Sequence, residues 1–69
     1  MKVSSVSELT ALLRARRKEK GIRQEDVADL AELQRESLAR IEKGRDLKTS
    51  TLLRLCEALK LEVTIRERQ

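Results

Sequence analysis

QEDVADLAELQRESLARIEKG, residues 24–44, is the stretch on which the fold turns. Val27, Ala28 and Ala31 recur at helical spacing, Leu33 falls in the break, and Leu38 and Ile41 resume the period three residues apart. The spacing predicts a helix from Gln24 to about Leu30, a tight turn, and a second helix from about Gln34 to Lys43 that Gly44 ends. Glu25 and Asp26 stand in the first turn of the leading helix, where unpaired backbone amides favour negative charge.

Upstream, Ser5-Val6-Ser7-Glu8 has the pattern of a capping box, so a first helix starts there. Leu9, Leu12 and Leu13 make one face, continued by the stem of Arg16 or Arg17 to Lys20, and Gly21 is placed for a left-handed cap. Arg14, Arg16, Arg17, Lys18 and Lys20 crowd the last turns, where cations suit the helix dipole. Downstream of a polar loop over residues 45–48, Thr49 or Ser50 can cap a fourth helix with the apolar stripe Leu52, Leu55, Cys56 and Leu59. The period then changes. Leu61, Val63 and Ile65 alternate with Glu62, Thr64 and Arg66, which predicts a strand with one wet face. A lone strand is unstable in water, so residues 61–66 are expected to pair with a second copy across a two-fold axis. A frayed or helix-packed tail is the alternative.

At 69 residues the chain is long enough for one domain, residues 1–69, and short enough to gain from self-association. Twelve Leu, four Val, three Ile and six Ala supply the core without one aromatic ring. The single Cys56 cannot close an internal disulfide and reads as a small core residue. With no membrane-length apolar run and no signal-peptide core, a cytoplasmic protein is expected. Catalysis finds no support: there is no His, no nucleophile beside a base, and no glycine-rich phosphate loop. Metal and cofactor sites are not expected either, since one Cys without His cannot fill a soft site and the carboxylates lack calcium-loop spacing.

Net charge is +4, but its distribution matters more than its sum. Residues 1–23 carry seven basic and two acidic groups, residues 24–44 three and six, and residues 45–69 six and four. The two-helix stretch is itself negative. A polyanionic partner would therefore have to meet one face of it rather than its bulk charge.

Gly21-Ile22-Arg23-Gln24-Glu25-Asp26-Val27-Ala28-Asp29-Leu30-Ala31, then Leu33, Leu38, Ile41-Glu42-x-Gly44 and Thr51-Leu52-Leu53-Arg54-Leu55-x-x-Ala58-Leu59, resembles the Cro/C1-type (XRE-family) helix-turn-helix regulators over roughly residues 7–61. With the tail LEVTIRER the chain is most similar to the small HipB-like antitoxin members. The resemblance implies an all-α, lambda-repressor-like compact domain of four or five helices with the helix-turn-helix at 24–44. It also implies a C-terminal strand whose Leu61, Val63 and Ile65 pair across a homodimer. Double-stranded DNA is the implied partner, with the third helix in the major groove. Gln34, Arg35, Glu36 and Arg40 then become base-contacting candidates, where Arg35 can bridge guanine O6 and N7 and Glu36 can accept from a cytosine amino group. Gln24, Ser37, Lys43, Arg45 and Lys48 become phosphate-contacting candidates. Arg17 and Glu42 occupy positions that hold an ion pair in the family.

Three departures accompany the likeness. Glu32 stands where the turn usually has Gly, Gln34 replaces the usual Ser or Thr cap, and Leu47 or Lys48 stands where Pro is common. The implied function is a sequence-specific repressor acting as a homodimer on a palindromic operator, with an antitoxin bound to a toxin protein as a narrower case. The alternative is a protein-interaction module of the same fold that does not read DNA, which Glu32 and the negative charge of residues 24–44 favour.

Overall fold

The computed structural model describes residues 2–68, so the terminal residues of the expected domain, Met1 and Gln69, lie outside the described residues. Four helices follow in order: α1 Val6–Glu19, α2 Gln24–Leu30, α3 Arg35–Glu42 and α4 Thr49–Ala58. At the start of α1 the Glu8 amide donates to Ser5 Oγ at 3.1 Å. The Ser5 hydroxyl in turn donates to the Glu8 carboxylate at 3.3 Å, so the reciprocal half of the box runs between side chains. Neither Thr49 nor Ser50 caps α4. Both lie inside the helix, and extended Lys48 is the flanking residue, without a side-chain cap bond. Gln34 likewise flanks α3 without capping it.

The buried core draws Leu13 from α1, Val27 and Ala28 from α2, Leu38 and Ile41 from α3, and Leu55 and Cys56 from α4, with Ala31 and Leu59 at helix ends. Ala28 and Ala31 are sealed, and a larger side chain there would overpack the centre by about 1–3 kcal/mol. Burial also takes Thr10 and Thr51, which apolar periodicity could not flag. The Thr10 hydroxyl meets its needs within α1, donating to the Ser7 carbonyl at 3.2 Å.

All four helices end by the same device. The backbone turns left-handed at Gly21 (φ 67°), Glu32 (φ 58°), Gly44 (φ 106°) and Lys60 (φ 58°). The next amide then donates to the carbonyl five residues back: Ile22 to Arg17, Leu33 to Ala28, Arg45 to Arg40 and Leu61 to Cys56. This return folds Ile22, Leu33 and Leu61 onto the core. Glycine takes the conformation freely at two of these ends; at Glu32 and Lys60 it costs about 1 kcal/mol each.

The tail corrects an expectation. Residues 61–66 form no β-strand, and the described residues contain none. Alternation selects faces, but a strand also needs a ladder of backbone partners, and no described segment of the chain provides them. Leu61 packs on the core, whereas Val63 and Ile65 are exposed, Ile65 to 94%. No helix among the described residues is long and apolar enough to cross a membrane.

Candidate nucleic-acid interface

Helix α3 is two-sided because its sequence is. Leu38, Ile41 and Glu42 are buried against the rest of the domain, while Arg35, Glu36 and Arg40 are exposed. Glu36, Arg40 and Lys43 recur at spacings of four and three, which lines them along one outer stripe. Gln34 stands exposed just before the helix and Ser37 is half-buried on its flank. Ser37, Arg40, Ile41, Arg45 and Asp46 line a shallow open hollow beside α3. Lys43, Arg45 and Lys48 continue exposed into and along the loop that leaves the helix. Among the described residues, none of Arg35, Glu36, Arg40, Lys43, Arg45 and Lys48 is held in an ion pair. Their charges are free to meet something else.

The end of α3 is fixed from behind. Arg17, reaching over from α1, donates from Nε to Glu42 Oε2 at 2.6 Å and from Nη2 to Glu42 Oε1 at 2.9 Å. Its Nη1 donates to the Ile22 carbonyl at 2.8 Å, bringing in the turn between α1 and α2. The two side chains are 11% and 3% exposed, so the pair is shielded from solvent screening. Burial pushes the Glu42 carboxyl up, but the hydrogen bonds from Arg17 and Gln24 and the charges of Arg17 and Arg14 more than offset it and hold it below its ordinary value. The carboxylate raises Arg17 in return.

The structure thus brings Arg17 and Glu42 together, and places Gln34, Arg35, Glu36, Arg40, Lys43, Arg45 and Lys48 on an open surface. Gln24 differs. It is half-buried, and its side-chain nitrogen donates to Glu42 Oε1 at 2.9 Å. Periodicity along the chain does not reveal that contact, because the partners are 18 residues apart on different helices. Arg23, outside the candidate set, pairs with Glu25 at 3.3 Å and Asp26 at 3.1 Å, offsetting the acid in the first turn of α2. The i, i+3 spacing of Arg23 and Asp26 was the available signal.

A family model described as Helix-turn-helix matches residues 13–65. The chain belongs to this family, the XRE-type helix-turn-helix regulators. This regulator is 33% identical to the restriction-modification controller protein C.AhdI from Aeromonas hydrophila, with 83% of this chain and 88% of that chain covered and a TM-score of 0.78. The wild-type restriction-modification controller protein C.Esp1396I is 27% identical over 88% of this chain and 80% of its own, with a TM-score of 0.79. A chain of the HipB-O4 20mer complex covers all of this one and 99% of its own with a TM-score of 0.90, at 17% identity, a likeness of fold. No curated protein matches the chain.

Proposed function

We propose that this helix-turn-helix regulator is a repressor that binds double-stranded DNA sequence-specifically, as a homodimer on a palindromic operator. The observation that carries the reading is the outer face of α3. Arg35, Glu36 and Arg40 are exposed and, among the described residues, in no ion pair, on a helix whose inner face is buried and whose last residue is tied to α1. A rigid helix with free polar ends is what readout of base edges in the major groove requires. Gln34 joins Arg35, Glu36 and Arg40 at the base edges. Gln24, Ser37, Lys43, Arg45 and Lys48 contact phosphates and set the register.

Two copies would meet through surface that one copy leaves open, including Val63 and Ile65 of the tail. Half-sites then lie about one helical turn apart. An antitoxin role, with a toxin protein bound to the dimer away from α3, is the narrower form of this reading. The fold likeness to chains of HipB complexes supports it.

Fluorescence titration with a duplex from the region upstream of the chain's own gene, against a scrambled duplex, tests the reading. Tighter binding to the upstream duplex at physiological salt, falling steeply as salt rises, is the expected result. Equal affinity for both would leave the fold as a protein-interaction module. A dimeric mass in solution that becomes monomeric when residues 61–69 are removed is expected for the assembly.

A further inference from the structure

A glutamine amide has two unlike ends: its oxygen only accepts hydrogen bonds and its nitrogen donates two. For Gln24 the partner fixes which end faces inward. Glu42 Oε1 lies 2.9 Å from the Gln24 side-chain nitrogen. Two donors from Arg17 already hold that carboxylate in its ionised, acceptor-only form. Turned over, the Gln24 oxygen would face a carboxylate oxygen with no hydrogen between them. One of the two nitrogen-bound hydrogens is therefore committed to Glu42. Among the described residues the Gln24 amide has no other side-chain hydrogen bond, and Gln24 opens α2 in a half-buried position. A phosphate oxygen accepts and cannot donate, so only the nitrogen end of the amide can bind it.

We propose that Glu42 is a positioning residue for the DNA backbone: it locks the Gln24 amide so that one N–H points to Glu42 and the other is presented to a phosphate oxygen. This rests on the DNA reading above and adds a connection to it. The carboxylate that ties α3 to α1 also orients the group that sets the register of α3 on the duplex. The contacts run from Arg17 through Glu42 and Gln24 to the phosphate. An unrestrained glutamine would offer the wrong end part of the time and lose more side-chain freedom on binding.

The side-chain amide signals of nitrogen-15-labelled protein test the lock directly. In the free protein the Gln24 pair is expected to be widely split, with one proton downfield and slow to exchange, unlike that of exposed Gln34. Adding the upstream duplex or the scrambled one should shift the other proton of the pair. Glu42→Gln, which adds a donor at the same shape, should narrow the splitting in the folded protein. Gln24→Leu should weaken binding to both duplexes alike, about ten- to a hundredfold for a hydrogen bond to a charged group, measured at a temperature where circular dichroism shows the variant still folded. A Gln24 pair as unsplit as that of Gln34, or wild-type affinity in Gln24→Leu, would overturn the proposal. The two readings separate cleanly. If neither duplex moves any α3 amide, the DNA reading falls; if α3 amides move and the Gln24 pair does not, only the positioning role falls.

Discussion

The two ends of α2 are built to opposite standards. At its N-terminus Gln24 is bonded to Glu42, Arg23 to Asp26, and the preceding Ile22 carbonyl to Arg17, so three side chains hold one turn. At its C-terminus Leu30 is 66% exposed and the chain leaves through a left-handed Glu32. The hollow there is lined by Leu30, Glu32, Arg54, Glu57, Ala58 and Lys60, and it holds the second left-handed non-glycine residue, Lys60. No ion pair joins Glu32, Arg54, Glu57 and Lys60 among the described residues. The end that faces α3 is over-determined, whereas the far end tolerates strain and exposed apolar surface.

Breaking the tied end should give the largest effect. Arg17→Met leaves Glu42 buried without its ion-pair partner and with the Gln24 amide as its remaining hydrogen bond, at a cost of about 3–5 kcal/mol. In a domain this small that lowers the melting temperature by well over about 10 °C, read by circular dichroism. A loss of a degree or two would mean that the pair is open to water in solution.

Acid reaches the same group more gently. Because the folded Glu42 titrates below its ordinary value of 4.5, its contribution is whole above that pH. It is lost as pH falls toward and through the depressed value. Arg17 stays charged throughout this range and adds no slope. Denaturant midpoints measured from neutral pH down should therefore fall below about pH 4.5 in the wild type, and fall less in Arg17→Met.

On the outer face of α3, substitutions should change binding without changing stability. Arg35→Ala should reduce the preference for the upstream duplex over a scrambled one by about 1–3 kcal/mol in a competition titration, with the melting temperature unchanged. Lys43→Ala should instead weaken both duplexes alike and lower the salt slope by about one. At the strained end the effect is smallest and reversed in sign. Glu32→Gly and Lys60→Gly should each raise stability by up to about 1 kcal/mol in denaturant melts, since each relieves a left-handed backbone. No gain at either site would mean that the strain is offset by contacts of the side chain itself.

The paired helices were legible because Val27, Ala28, Ala31, Leu38 and Ile41 are both apolar in sequence and buried in space. The left-handed exit at Glu32 could be anticipated from the shortness of the turn and the family's glycine. The equivalent exit at Lys60 could not, because nothing around Leu59 and Leu61 punctuates the chain; the conformation comes from Leu61 returning to the core. Thr10 and Thr51 were invisible as core residues because hydropathy reads side-chain polarity, and for Thr10 not that its hydroxyl finds a carbonyl within its own helix. Residues 61–66 carry the pattern of a strand without a partner, and pattern alone does not supply one. Candidate side chains on α3 were readable by position, since exposure follows from helical phase. The Gln24 contact needed the crossing of α2 and α3, which spacing along the chain does not contain.

The clasp between Arg17 and Glu42 joins positions 25 residues apart, with the whole of α2 inside the closed stretch. Such a stretch cannot fray from one end. Its amides should exchange with deuterated water only when the clasp and the core beneath it open together, while those of residues 62–68 exchange almost at once. The outer face of α3 would then be either wholly present or wholly absent, with no half-ordered state to offer the duplex proposed above.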